Sequence, residues 1–255
     1  MTEQKPALVL TAMSASSGTA VCSQIETAIR DRFADQPIYW AYNARTVQRA
    51  RQQGTTLQGP GEILNDLAAT GHHQAIVQSL HLLPGFEFHQ LYRQVRRIQG
   101  LDCRLGMPLF SAPDDYRQLA DLLGPVIGED ERQAVLLVGH GTRHPVWTAY
   151  LALEHLLRRR LGERLFVGVV EHYPDMARDE GRLVQAGFGK VLVIPFFLTT
   201  GLHTGRDLFD DNGHSWYSRL RRHGLAVSIH RQGLGMLPGI GELVAQHIAQ
   251  AQPLS

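Results

Sequence analysis

The sequence is poor in cysteine, in net charge and in long apolar runs, and each shortage excludes a class of protein. Its two cysteines, Cys22 and Cys103, form no Cys-x-x-Cys pattern, which argues against a disulfide-rich secreted scaffold. The formal net charge is +1, so no strong field recruits nucleic acid or an anionic membrane. No segment approaches the roughly 20 apolar residues that span a bilayer, and the first 12 residues do not form a secretion signal. We therefore expect a cytoplasmic protein with neither a nucleic-acid nor a membrane partner.

A phosphate-binding loop of the GxxxxGK[ST] type is also missing, so nothing in the sequence supports a reaction driven by ATP. Histidine, by contrast, is abundant at 13 residues, and it binds divalent transition metals near neutral pH. The 255 residues, 44% of them hydrophobic, suffice for one large globular domain or two small ones.

Short apolar runs alternate with longer amphipathic segments along the whole chain. The apolar runs predict strands at residues 7–13, 37–42, 74–80, 102–109, 134–140, 165–170, 190–197 and 225–230. The amphipathic segments predict helices at residues 23–33, 61–69, 88–99, 115–127, 147–161, 176–185, 216–222 and 240–251. This alternation predicts the α/β class, with parallel strands and helices on both faces of the sheet.

The two halves of the chain resemble each other. Residues 71–85 can be laid on residues 187–201 without a gap, at an offset of 116 residues, and each segment runs from a glycine through an apolar strand to a glycine-bearing loop. We therefore expect two pseudo-symmetric domains, each a four-stranded parallel sheet flanked by helices. The predicted domains are residues 1–128 and 129–255, with a ligand cleft between them.

Three residues of the second half follow successive predicted strands. His140 closes the first strand, Glu171 follows the second, and His203 lies in the loop after the third, at spacings of 31 and 32 residues. Because the carboxyl ends of parallel strands share one edge of the sheet, we expect the three side chains to converge. Two imidazoles and a carboxylate suit a divalent first-row metal, and they leave positions open for another ligand of the metal.

Each of the three also has a purely structural explanation. His140 could cap its strand and donate to a backbone carbonyl, Glu171 could be a helix N-cap or a surface residue, and His203 could be a solvated loop residue. The set is more specific than any member, and the glycines on both sides of His140 clear space for a close ligand.

Several motifs, taken in order, resemble those of a known family. They are Ile-Val-Gln-Ser-Leu-His at 76–81, Val-Gly-His-Gly at 138–141, Val-Glu-His-Tyr-Pro at 170–174, Gly-Leu-His-Thr-Gly-Arg-Asp-Leu at 201–208 and Asp-Asp-Asn-Gly-His-Ser-Trp at 210–216. The chain resembles the anaerobic, ATP-independent sirohydrochlorin cobalt chelatases of the CbiK type, within the class II chelatases that include ferrochelatase.

The resemblance implies two pseudo-symmetric α/β domains with a sirohydrochlorin-type tetrapyrrole in the cleft. It also implies that the enzyme inserts Co²⁺ into this ring in cobalamin biosynthesis. By the same resemblance, His140, Glu171 and His203 bind the metal, His140 accepts a proton, and His140 with Glu171 forms the catalytic pair.

Contacts to the tetrapyrrole are predicted on both halves. The family usually has a Ser-Phe-Gly-Thr-type turn after the first strand, whereas residues 12–19 read Ala-Met-Ser-Ala-Ser-Ser-Gly-Thr. By resemblance this turn lines the ring site, so Met13 and Ser14 are predicted to contact the ring, although Met13 could also be apolar filling. His81 is a further candidate, and Arg206 could bind a ring carboxylate unless the neighbouring aspartates pair with it.

Other functions fit part of the pattern. An iron or nickel chelatase would use the same ligand types, because these do not separate Co²⁺ from Fe²⁺ or Ni²⁺. A non-catalytic carrier of metal or tetrapyrrole would keep the histidines without needing a proton acceptor. A periplasmic-binding-like module is a third class, against which the missing export signal argues. The sequence leaves a homo-oligomer open.

Overall fold

The computed structural model describes residues 4–12, 19–200, 205, 208–211 and 213–254. Its strands are β1 Ala7–Ala12, β2 Ile38–Tyr42, β3 Gln74–Ser79, β4 Asp102–Gly106, β5 Gln133–Gly139, β6 Leu165–Val169, β7 Lys190–Pro195, β8 Ala226–Ile229 and β9 Gln252–Pro253. Its helices are α1 Thr19–Arg32, α2 Ala44–Gln52, α3 Pro60–Ala69, α4 Phe86–Val95, α5 Pro113–Ile127, α6 Thr148–Leu161, α7 Met176–Gln185, α8 Trp216–Arg222 and α9 Ile240–Ala249.

Two sheets organise these elements. One has the strand order β2-β1-β3-β4-β9, and the other has the order β6-β5-β7-β8. Every pair among β1–β4 and among β5–β8 is parallel, which confirms the predicted α/β class and all eight predicted strands. The first sheet differs from the prediction by one element, because β9 adds to the edge of β4 in the antiparallel sense.

The chain divides into two compact units, and the division differs from the predicted boundary after residue 128. Unit 1 consists of Met1–Ser111 with Gly239–Ser255, and unit 2 of Ala112–Pro238. The C-terminus returns to unit 1 because α9 packs against α1 and β9 pairs with β4. Helix α5 belongs to unit 2, where it packs against α6. The boundary after residue 128 was placed from sequence patterns, which report local structure and not the surface that a helix covers.

Among the strands and α-helices given above, two were not predicted at all. Helix α2 reads Ala-Arg-Thr-Val-Gln-Arg-Ala-Arg-Gln and buries only Val47 and Ala50, so its apolar stripe is short and lies in a segment dominated by polar residues. Its usable signal is Asn43, whose side-chain oxygen accepts a hydrogen bond from the amide of Thr46 as an N-cap does. Strand β9 is two residues long and includes Pro253, which tertiary pairing alone turns into a strand.

Two strands of unit 2, the edge strand β6 and its neighbour β5, are buried along nearly their whole length. Strand β6 is buried at every position, and β5 at every position except its first. This is the pattern of parallel strands covered by helices on both faces, and it explains why these segments read as continuous apolar runs. On the outer edge of β6, the Glu154 carboxylate from α6 accepts a hydrogen bond from the amide of Val167. In the part of the chain described, no helix is both long and apolar enough to cross a membrane.

The repeat inferred from the sequence has a structural counterpart. Strands β3 and β7 both contain six residues, begin 116 positions apart and show the same sequence of exposed, half-buried and buried positions. Each lies next to the first strand of its unit, β1 or β5. The predicted similarity of the two halves is therefore seen in strand order, register and burial.

Candidate metal site at the carboxyl ends of β5 and β6

The structure brings His140 and Glu171 together. His140 directly follows β5, Glu171 lies two residues beyond β6, and the two strands are paired up to Gly139 and Val169. The Nδ1 atom of His140 is 3.2 Å from Oε1 of Glu171. The side chains are 61% and 49% exposed, so solvent and ligands can reach both groups. Two side chains of types that can bind a metal therefore meet at the edge of the sheet where ligands of parallel α/β folds bind.

Backbone contacts hold the two loops side by side. The amide of Glu171 donates to the carbonyl of His140 at 3.0 Å, and the amide of Thr142 donates to the carbonyl of Tyr173 at 3.2 Å. Gly141 lies between these bonds with φ of 84°, a left-handed conformation that favours glycine. A Cβ atom on Gly141 would overlap the carbonyl oxygen of Glu171. Glycine at 141 is thus a condition for the close approach of the two loops.

Two aromatic side chains support the loops from within unit 2. Tyr150 on α6 packs against Gly139, and its hydroxyl accepts a hydrogen bond from the amide of Gly141 at 3.1 Å. Trp216, at the start of α8, packs against Gly168, and its indole N–H donates to the carbonyl of Val169 at 3.0 Å. Neither residue was assigned a role from the sequence. The available signals were Gly139 and Gly168, because a glycine within an apolar strand marks a position that another group approaches closely.

A third side chain lies beside the carboxylate. The Nε2 atom of His172 is 3.5 Å from Oε1 of Glu171. His172 has φ of 61°, the one non-glycine residue with a positive φ among those the structure describes. This conformation costs an L-residue roughly 1–2 kcal/mol, and histidine tolerates it better than most residues do. Glu171 is not the N-cap of α7, because that role belongs to Asp175.

Aromatic rings flank the pair. The ring of Tyr173 is 55% exposed and lies 6.2 Å from the ring of Trp147, centroid to centroid. The ring of Phe197, which follows β7, lies 6.3 Å from the imidazole of His140. The site thus combines two polar donors with apolar ring surface, a combination suited to a flat, largely apolar ligand.

Four of the predicted site residues, His203, Met13, Ser14 and Arg206, lie outside the described residues. Among the residues that are described, no three His, Cys, Asp or Glu side chains form a group that could hold a metal ion. The structure thus shows the contact between His140 and Glu171, and metal binding by His140, Glu171 and His203 stays a prediction.

Two further histidines, His144 close to a motif and His214 within one, have surroundings of their own. His144 caps the short turn Pro145–Trp147, and its Nδ1 accepts a hydrogen bond from the amide of Val146. His214 is exposed before α8.

His81 belongs to unit 1, where it follows β3. Its Nδ1 atom is 2.8 Å from the hydroxyl of Ser79. Burial lowers the pKa of His81, although the nearby carboxylate of Glu87 raises it in part. An imidazole with a lowered pKa stays neutral over a wider pH range, so it can act as a hydrogen-bonding group without bringing a charge to the site.

Comparisons with known proteins identify the family of the chain. The family model described as "Cobalt chelatase (CbiK)" matches residues 11–252. A sirohydrochlorin cobaltochelatase from Salmonella typhimurium is 32% identical over 225 residues, which cover 85% of this chain and 84% of that protein. The sirohydrochlorin cobaltochelatase CbiKC of Nitratidesulfovibrio vulgaris is 28% identical over 244 residues, covering 92% of this chain and 85% of that protein.

Solved structures agree with the fold. SirB from Bacillus subtilis with Fe³⁺ superposes with a TM-score of 0.65 at 12% identity, covering 96% of this chain and 95% of that one. The sirohydrochlorin chelatase SirB from Bacillus subtilis subspecies spizizenii in complex with cobalt gives a TM-score of 0.61 at 11% identity over the same shares. The fold is thus that of the chelatases, and with the family model matching nearly its whole length, this chain belongs to the CbiK family of cobalt chelatases.

Proposed function

We propose that this protein inserts Co²⁺ into sirohydrochlorin without ATP, as a cytoplasmic step of cobalamin biosynthesis. Family membership and the names of the two full-length relatives support the substrate and the metal. The single observation that carries the proposal is the pair His140 and Glu171, whose Nδ1 and Oε1 atoms lie 3.2 Å apart at the ends of adjacent parallel strands. Such a pair offers both a metal donor and a proton acceptor.

The reaction exchanges protons for metal. Two pyrrole N–H groups of sirohydrochlorin lose their protons, and the ring nitrogens bind Co²⁺ as the ion leaves its previous ligands. His140, Glu171 and His203 hold the incoming ion, because imidazole and carboxylate donors suit a divalent first-row metal. Once the ion passes to the ring nitrogens, the freed imidazole of His140 accepts one pyrrole proton, which its exposure allows to pass on to water, and the second proton is released to water directly.

The ring needs its own contacts. The exposed ring of Tyr173, two residues from Glu171, offers apolar surface on which the macrocycle can pack. Met13, Ser14 and His81 are proposed to line the tetrapyrrole site. Arg206 is proposed to bind one of the many carboxylates of sirohydrochlorin.

The decisive experiment is a competition assay. Purified protein is mixed with sirohydrochlorin and with equal concentrations of Co²⁺, Fe²⁺ and Ni²⁺, without ATP, and the metallated products are separated and measured by absorbance. We expect multiple turnovers and an excess of the cobalt product. A dominant iron or nickel product would reassign the metal, and one stoichiometric binding event without turnover would identify a carrier.

Substitutions test the residues. Glu171→Gln and His203→Ala should each lower turnover by more than about 100-fold, because losing an outer partner of a metal ligand already costs 10–100-fold and a ligand matters more. His155→Ala, at an exposed position on α6, is the matched control and should retain wild-type turnover. Wild-type turnover in either site variant would remove that residue from the metal site.

A further inference from the structure

Gly141 is the point at which both halves of the metal site meet. Its Cα faces the carbonyl oxygen of Glu171 so closely that no side chain fits between them. It also directly follows His140 in the chain. A displacement of the Gly141 backbone therefore moves the His140 imidazole relative to the Glu171 carboxylate.

Tyr150 is the side chain that holds this backbone. Its hydroxyl accepts the hydrogen bond from the amide of Gly141 at 3.1 Å. Its ring lies against Gly139, where an added Cβ would be 2.5 Å from Cε1 of Tyr150. On another side, the ring meets that of Phe196 edge-on, with 6.2 Å between centroids. Tyr150 is buried, so its hydroxyl has a defined position.

The pKa of Tyr150 indicates that its hydroxyl positions a neighbouring group. Burial raises the pKa of Tyr150 above the ordinary value, and the hydrogen bond from Gly141 offsets only part of that rise. The hydroxyl is therefore a neutral phenol at physiological pH, and its raised pKa makes it a poorer proton donor than an exposed tyrosine. What it supplies is a fixed acceptor for a backbone donor that would otherwise lack one.

We propose that Tyr150 is a positioning residue of the chelatase reaction, which sets the separation of His140 and Glu171 by holding the amide of Gly141. The proposal rests on the proposed function for its catalytic consequence. Its structural consequence concerns Co²⁺ binding alone and does not need the tetrapyrrole. Groups that orient metal ligands in this way typically change metal affinity or activity 10–100-fold when they are removed.

The test begins with Tyr150→Phe, which removes one oxygen atom and keeps the ring. We expect Co²⁺ affinity, titrated without tetrapyrrole, to fall about 10-fold, and kcat to fall by a similar factor. The KM for sirohydrochlorin should stay within about twofold of wild type, because the ring contacts are untouched. Hydrogen exchange at the Gly141 amide should accelerate about 10-fold, since that amide loses its acceptor.

Tyr116→Phe provides the matched control. Tyr116 is a buried tyrosine on α5 of the same unit, and burial raises its pKa to about 12. A general cost of losing a buried hydroxyl would lower the melting temperature of both variants and affect Co²⁺ binding in neither. The proposal requires that only Tyr150→Phe loses Co²⁺ affinity.

A second substitution, Gly139→Ala, tests the contact between Gly139 and the Tyr150 ring from the other side. Gly139→Ala places a methyl group against the Tyr150 ring and should reproduce the loss of Co²⁺ affinity. Because both changes act through one contact, the double variant should lose less than the product of the two single effects. Co²⁺ affinity and kcat of Tyr150→Phe within twofold of wild type would overturn the proposal. Failure of the wild type to metallate sirohydrochlorin would instead overturn the proposed function and leave the Co²⁺-binding comparison intact.

Discussion

The two units share one framework and present different chemistry on it. Their parallel strands have the same order, β2-β1-β3-β4 and β6-β5-β7-β8, and strands β3 and β7 match in length and burial. The position equivalent to His81 at the offset of 116 residues is Phe197, an aromatic residue next to the metal site and not a metal donor. The repeat thus preserves the scaffold while the residues at the strand ends differ.

The histidines of the two units show what the difference means. His81 is paired with the hydroxyl of Ser79, and burial lowers its pKa. His140 is 61% exposed and lies next to a carboxylate. The same residue type is therefore a half-buried histidine with a lowered pKa in unit 1 and an accessible neighbour of a carboxylate in unit 2. Surroundings, and not residue type, separate the proposed metal ligand His140 from His81.

The largest effect should come from removing one histidine from each unit. His140→Ala should lower kcat by about 100-fold or more, because it removes a metal donor and a proton acceptor together. His81→Ala should act mainly on the KM for sirohydrochlorin, with kcat reduced by less than about 10-fold. Steady-state metallation followed by absorbance measures both constants. Equal losses of kcat in the two variants would contradict the different roles proposed for His140 and His81.

A smaller effect is expected on stability, when alanine replaces a glycine with positive φ in each unit. Gly71→Ala in unit 1 meets no atom within 4 Å, so it should cost only the backbone strain of roughly 1–2 kcal/mol. Gly141→Ala adds a clash with the carbonyl of Glu171 and should cost about 2–5 kcal/mol. Urea unfolding gives both values. Equal destabilisation would mean that the Gly141 and Glu171 loops can separate freely.

The smallest expected effect is a pH dependence of the free energy of unfolding that comes from His81 in unit 1. The pKa of His81 lies below its ordinary value of 6.5 in the folded protein, so below that pH the unfolded chain binds the proton more readily. This residue therefore contributes a loss of stability as pH falls from 7.5 through 6.5 to 5.5. In His81→Gln that contribution is absent, so the free energy of unfolding should fall less between pH 7.5 and 5.5 than it does in the wild type. Urea unfolding of both proteins at pH 7.5 and 5.5 measures the difference, and an identical fall would contradict the burial of His81.

Much of the framework was predictable because it rests on local patterns. The apolar runs at β5 and β7 predict strands, and glycines and helix formers bound them, so their ends agree with the structure to within two residues. The pair His140 and Glu171 was predictable because parallel topology places successive strand ends on one edge. Helix α2 was not, because its apolar face consists of only two buried residues in an arginine-rich segment, and Asn43 alone signals its start.

The supporting residues could not be inferred from local patterns. Tyr150 and Trp216 lie on helices that are ordinary in sequence, and their roles depend on which strand glycine each ring meets. The return of α9 and β9 to unit 1 likewise depends on packing against α1 and β4, elements more than 100 residues away.

By itself, the sequence determined the α/β class, the eight parallel strands, the internal repeat and the order of the chemical groups along one sheet edge. Hydrophobic periodicity and strand–helix alternation act over short distances, which is why these features can be read without coordinates. Only the tertiary structure decided that the Nδ1 atom of His140 lies 3.2 Å from Oε1 of Glu171, that Gly141 joins their loops, and that the chain returns to its first unit. Those features depend on side-chain packing and backbone approach between distant segments, and no local pattern encodes either.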